Sequence, residues 1–166
     1  PLCYVVVLSL ADAVLVLGLI WVLLRVHGER PVAMFLGVRP IGREASLGLL
    51  LVPAALLLVA VAFSILLQVA PWLHNVTENP LEALIDSPLN AAAFALIAVV
   101  AGGVREEVQR AFVLSRFETH LGGPAVGLIV FSVAFGLGHL VQGHDAAIVT
   151  GLLGAFWGIL YLRRRS

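Results

Sequence analysis

The sequence predicts an all-α fold, a polytopic membrane helical bundle with about five transmembrane helices. Three observations carry this reading. Of the 166 residues, 61% are hydrophobic and 12% charged, and the mean hydropathy is +1.06. A soluble domain of this length cannot bury that much apolar side chain. The apolar residues are gathered into five continuous stretches rather than alternating along strands, as helices that satisfy their own backbone in lipid require. The segments between the stretches alternate between basic and acidic, the pattern of a chain crossing a membrane repeatedly.

Leu2 to Leu24 is 23 residues of apolar sequence, enough to span with some tilt. It has no basic leading region and no small-residue cleavage site, which separates it from a signal peptide. Asp12 lies at its middle and is read as a carboxyl kept neutral or bonded to a neighbouring helix. His27 to Ala45 contains Arg30, Arg39 and Arg43 with Pro31 and Pro40, and reads as a basic loop. Leu47 to Ala70 is the second span, with Pro53 tolerated in its first turns. These two spans and their loops make up residues 1–90.

Pro71 to Asn90 is an outer loop carrying Glu78, Glu82 and Asp86 and no Arg or Lys. Within it Asn79-Pro80 is a helix-start signal. The run from Leu81 to Ser87 fits a short amphipathic turn, with Trp72 as an interfacial anchor. The third span runs from Ala91 to Phe117 and is broken by His120 to Pro124. The fourth, Pro124 to Gln142, carries His139 near its end. The fifth, Ala146 to Leu162, holds Gly154 and Gly158 in a GxxxG packing face. Positive-inside counting places Arg25 to Arg43, Arg116 and Arg163 to Arg165 in the cytoplasm, and Gln142 to Asp145 outside.

All ten basic residues are Arg, and the formal net charge is zero, which gives no electrostatic case for nucleic acid. The single cysteine, Cys3, excludes an internal disulfide and a Cys-based metal cluster. The start at Pro1 and the ending in Arg163-Arg164-Arg165-Ser166 suggest a piece of a longer protein.

The chemistry concentrates in the third span. Fourteen uninterrupted apolar or small residues, Ala91 to Val104, are followed by Arg105, Glu106, Glu107 and Arg110. An ionisable residue at the centre of a spanning helix costs about 2.5–3.5 kcal/mol on insertion scales, so such groups face the protein interior and need partners. Glu106 and Arg110, at i and i+4, share a face and can pair. Glu107 points about 100° away and is expected to lie outside that contact. A second acid beside a sufficient ion pair marks the segment as functional. Gly102 and Gly103 remove side chains just before the charges, so a helix or a substrate backbone can approach there. On the fourth span Leu128, Phe135, His139 and Gln142 form one helical stripe. A lone His on an apolar helix is usually a hydrogen-bonded core residue. Beside a glutamate pair on the preceding helix, His139 becomes a candidate to hold a water or an oxyanion, with Glu as general base.

Glu106-Glu107 with Arg110, and Phe135-Gly136-Leu137-Gly138-His139, resemble the first two motifs, EExxxR and FxxxH, of a known family. These are the CAAX-protease and bacteriocin-processing (CPBP, or ABI) intramembrane proteases, with Rce1-type prenyl-protein proteases among them. The resemblance covers Ala91 to Leu162, and assigns residues 91–166 to a protease core. It implies a membrane-embedded endopeptidase with Glu106, Glu107, Arg110 and His139 as catalytic residues and Phe135 in support. Glu106 would activate water, Arg110 would hold the helix or the carboxylate, and His139 would bind the water or the oxyanion. It also implies metalloendopeptidase chemistry, with a divalent metal such as zinc at His139 and Glu106. One His and carboxylates are too few for a closed zinc site, so a metal-bound water and a Glu/His-held water stand as alternatives. The implied partners are a peptide or protein substrate at the membrane and the lipid bilayer, with no nucleic acid. The implied location is the inner membrane of a bacterial cell.

Two departures stand beside the resemblance. The first motif is one residue short, EExxR. Counted back from Arg110, Glu106 takes the second glutamate position and Arg105 the first; counted from the pair, Glu106 is first and Arg110 is displaced. Glu106 is a motif residue on either count and ranks above Glu107. The third motif, HxxxN or HxxxD, has no counterpart up to Ser166. His144, at i+5 from His139, faces about 140° away and is expected in the outer loop. Two other function classes fit the same residues. One is a non-proteolytic scaffold or bacteriocin self-immunity protein. The other is a transporter using Asp12, Glu106, Glu107 and Arg110 as an ion relay.

Overall fold

A computed structural model of the chain describes residues 2–37 and 39–165, and the regular structure among them is entirely helical. The helices are α1 (Leu2–Val26), α2 (Pro31–Phe35), α3 (Ile41–Val69), α4 (Pro88–Ile97), α5 (Glu106–His120), α6 (Pro124–Leu137) and α7 (His144–Arg164). A π-helical segment, Ala98–Arg105, joins α4 to α5. Four helical runs are long and apolar enough to cross a membrane: Leu2–Val26, Ile41–Val69, Pro88–His120 and His144–Arg164. The chain is thus an integral membrane protein with four candidate spans and one shorter apolar helix, α6. With 14 residues, α6 extends about 21 Å, less than the ~30 Å hydrocarbon layer. The expected fourth span stops early because Gly138 and His139 leave the helix and a 3₁₀ turn, Leu140–Gln142, takes the chain across to α7.

The chain divides into two compact units. One holds residues 1–35 and 78–112, the other residues 36–77 and 113–166.

In the first unit α1 packs on α4 and the π segment. Its buried residues Ala13, Ile20 and Leu24 recur seven and four positions apart on one helical face. α4 begins where local chemistry dictates. Ser87 is extended and its Oγ accepts the Asn90 N–H at 3.2 Å, while Pro88 occupies the first turn, where a missing N–H costs nothing. Upstream, the Asn79 side chain accepts the Leu81 N–H at 3.0 Å and a 3₁₀ turn, Glu82–Leu84, follows within the expected amphipathic turn.

In the second unit α6 and α7 form an antiparallel pair drawn together by small residues. A Cβ on Gly136 would meet the Ala147 carbonyl at 2.5 Å, one on Gly154 the Phe135 ring at 2.9 Å, and one on Gly158 the Leu128 side chain at 2.6 Å. The GxxxG face is therefore a packing face. α3 also lies along α7, fixed at both ends. Near one end Glu44 takes a two-pronged contact from Arg164 at 2.8 and 2.6 Å. Near the other, Asn75 Oδ1 accepts the His144 N–H at 2.8 Å and His74 Nδ1 donates to Asp145 Oδ2 at 2.7 Å.

Two expected loops change accordingly. α3 starts at Ile41 rather than Leu47, because Pro40 ends the loop and Glu44 sits in a first turn where an acid suits the helix dipole. His144 and Asp145, expected in an outer loop, are the first residues of α7, for the same electrostatic reason and because Asn75 satisfies a free N–H there.

Candidate functional site

The charged stretch begins where the π segment ends. Wide turns of this kind are rare and are found mostly at functional sites. Gly102 and Gly103 lie within it, and a Cβ on either would meet no described atom within 4 Å. The close approach expected at these glycines is therefore absent among the described residues, and the space beside them is open. Arg105 closes the segment and pairs through Nη2 with Asp12 Oδ2 on α1 at 2.7 Å. Asp12 is thus bonded to a neighbouring helix, one of the two states its sequence position suggested. Its partner escaped sequence reading because nothing local links residues 93 positions apart; the signal was an acid within one apolar run and a base at the end of another.

Glu106 and Glu107 follow as the first two residues of α5. Arg110 is 2% exposed, and its Nη1 donates to Glu107 Oε1. Sequence reading placed Glu107 outside the reach of Arg110, and this is corrected. Residues three apart on a helix are neighbours as surely as residues four apart, and the long guanidinium stem covers the remaining 60°. Glu106 stands half-buried on the same turn and also makes an interaction within the protein. Burying a guanidinium without a carboxylate is costly, so the pair explains how Arg110 tolerates its position.

Phe135 and His139 lie in the other unit, and they meet as their spacing implies. His139 Nδ1 lies 2.8 Å from the Phe135 carbonyl oxygen, and the two rings are edge-on with centroids 5.0 Å apart. A carbonyl only accepts, so Nδ1 carries the proton and donates it. In the neutral ring Nε2 then holds a lone pair. Neutral His139 can accept a proton from water or ligate a metal through Nε2, and can donate to an oxyanion only once protonated. Phe135 is in turn seated over Gly154 and stacks with Phe131 at 5.7 Å. A cascade of contacts, Gly154 to Phe135 to His139, orients the imidazole. An apolar groove of about 550 Å³ runs along the same two helices, lined by Leu128, Ser132, Gly136 and Gly151 among others, but His139 is not part of its wall.

The metal expectation is tested by the donor set. Among the described residues no three His, Cys, Asp or Glu side chains gather as a ligand group. His139 and Glu106 alone do not make a protein-bound zinc site of three or four ligands.

The fold and these residues define an integral membrane protein with acids and arginines at the end of an apolar helical run in one unit and a helix with an oriented histidine in the other. A family model described as type II CAAX prenyl endopeptidase Rce1-like matches residues 88–166. Over those residues, just under half of the chain, the sequence is similar to the Rce1-like type II CAAX prenyl endopeptidases of the CPBP group. The match begins at the first residue of α4 and includes both motifs. No curated protein and no solved structure matches the chain. The family implies a peptide substrate, and the spans imply contact with the bilayer.

Proposed function

We propose that this chain is the core of an intramembrane endopeptidase that hydrolyses a peptide at the membrane, in the inner membrane of a bacterial cell. The observation that supports it most is the placement of the glutamate pair and His139 within the one stretch that the family matches. Glu106 acts as general base on a water, taking its proton as the water attacks the peptide carbonyl. Arg110 holds the acidic turn through Glu107. His139, with Nδ1 committed to the Phe135 carbonyl, uses Nε2 to position the water, and Glu106 returns the proton it has taken to the leaving amine.

The test is cleavage of membrane peptides by the full-length protein reconstituted in lipid. Glu106→Gln keeps size and shape and removes the proton acceptor, so cleavage should fall by about 10² to 10⁴ while insertion and folding persist. His139→Gln should do the same. The double variant should be little worse than either single one, because groups that act as a unit are strongly non-additive. Additive losses, or full activity in Glu106→Gln, would sink the assignment. The shortened first motif supports a second reading, a non-proteolytic scaffold. A scaffold's biological effect would survive Glu106→Gln and fail on changes to the α6–α7 seam.

A further inference from the structure

The end of the second unit where α3 begins and α7 finishes is a concentration of arginine. This unit contains Arg39, Arg43, Arg116, Arg163, Arg164 and Arg165, and at this end only two acids, Glu44 and Glu118. Both acids are engaged. Glu44 is gripped by the Arg164 fork at 2.8 and 2.6 Å. Glu118 is gripped by the fork of Arg165, whose guanidinium this hydrogen bond holds above its ordinary pKa. Arg39 gives its Nε–H to the Arg164 carbonyl at 3.1 Å, which pins it against the end of α7. Arg39, Arg43 and Arg163 have no acidic partner among the described residues, and all three are exposed. The two ion pairs and the Arg39 bond thus tie the chain segments that carry three uncompensated guanidiniums to one end of the unit.

We propose that Arg39, Arg43 and Arg163 form a binding surface for the headgroups of anionic phospholipids. The first argument is position. α7, with 21 residues, extends about 31 Å, the thickness of the hydrocarbon layer, so its last residues emerge at headgroup level. The second is chemistry. A guanidinium is always charged and its planar fork matches phosphate oxygens two at a time. The third is sidedness: positive-inside counting puts this end at the cytoplasmic leaflet, where the negative surface potential attracts basic residues.

The experiment uses the full chain in neutral detergent, titrated with phosphatidylglycerol, phosphatidylcholine or inorganic phosphate, with the melting temperature as readout. Phosphatidylglycerol should raise it saturably, and the other two should not at equal phosphate concentration. Each Arg near the surface contributes about five-fold, equivalent to about 1 kcal/mol. Arg163→Gln should therefore weaken the apparent affinity about five-fold, and Arg43→Gln with Arg163→Gln about thirty-fold. Added salt should weaken it further. Neither Arg43 nor Arg163 makes an ion pair among the described residues, so these variants leave the two ion pairs intact. Equal protection by phosphatidylcholine, equal protection by inorganic phosphate, or unchanged affinity in the double variant would each overturn the proposal.

Discussion

Arg110 reaches back three residues to Glu107, and this ion pair is what allows a guanidinium to sit with only 2% of its surface exposed. Arg110→Gln should cost about 1–3 kcal/mol, the usual worth of a hydrogen bond to a charged group, because the Glu107 side chain it leaves behind is 56% exposed. Arg110→Lys keeps the charge but not the fork and should fall between. Glu107→Gln keeps an acceptor for the guanidinium and should cost less than Arg110→Gln. Thermal unfolding in detergent checks the order. A Glu107→Gln protein less stable than Arg110→Gln would show that the acid, rather than the arginine, is the group the turn depends on.

The glycines of the chain divide into those that are filled and those that are open. Gly154 supports the Phe135 ring, and a Cβ there would come within 2.9 Å of it, whereas Gly103 has no described atom within 4 Å. Gly154→Leu should destabilise the protein by about 1–3 kcal/mol through overpacking, and should lower cleavage beyond its effect on folding because it displaces the ring beside His139. Gly103→Leu should leave the melting temperature nearly unchanged. The two melting curves and the two cleavage rates decide it. Equal loss of stability in both variants would mean that the space beside Gly103 is filled in the intact protein.

Much of this arrangement was legible from sequence, and the misses have physical causes. Long apolar runs announce spans because lipid leaves a backbone no alternative to helix. The FxxxH spacing gives a real contact because residues four apart are stacked on a helix. The early start of α3 was hidden because Arg43, Glu44 and Ser46 look like loop, although a helix can continue polar beyond the membrane. The shortness of α6 depends on two glycines that are read equally well as packing residues. The π segment gives no local signal beyond Gly102-Gly103. The links from Asp12 to Arg105 and from His74 to Asp145 are tertiary, and no periodicity reports them.

Asp12 and Arg105 make a test of that tertiary link. Both lie in apolar stretches, and their 2.7 Å contact neutralises two charges that would otherwise each cost about 2.5–3.5 kcal/mol at membrane depth. Asp12→Asn should lower stability by an amount of that order and loosen α1 from the π segment. Exchanging the two, Asp12→Arg with Arg105→Asp, should restore most of the loss, because the attraction is indifferent to which helix carries which sign. Melting temperature and cysteine cross-linking between α1 and the π segment both read it. A charge-exchanged protein as unstable as Asp12→Asn would rule out pairing as the source of stability.

His74 and Asp145 hold the other end of the histidine-bearing turn. After His139 the chain makes a single 3₁₀ turn, Leu140–Gln142, passes through Gly143 at φ +120°, and enters α7 at His144. Asp145 is 2% exposed. One oxygen accepts from His74 Nδ1 at 2.7 Å and the other accepts the Ala146 N–H at 2.8 Å. A Cβ on Gly143 would lie 2.8 Å from Asp145 Oδ1, so the turn has no room for another residue type as well as the wrong backbone angle for one. The turn that follows His139 is therefore anchored by a carboxylate whose partner comes from the loop after α3. His74→Ala should cost about 1–3 kcal/mol, the desolvation penalty of leaving a buried acceptor short of a partner. If the anchored turn also sets the position of His139, His74→Ala should reduce cleavage more than a variant of equal stability altered elsewhere, such as a matched Leu→Ala change in α1. His74→Gln, which can still donate, should recover part of both losses. Matched stability with matched activity would confine His74 to a structural role.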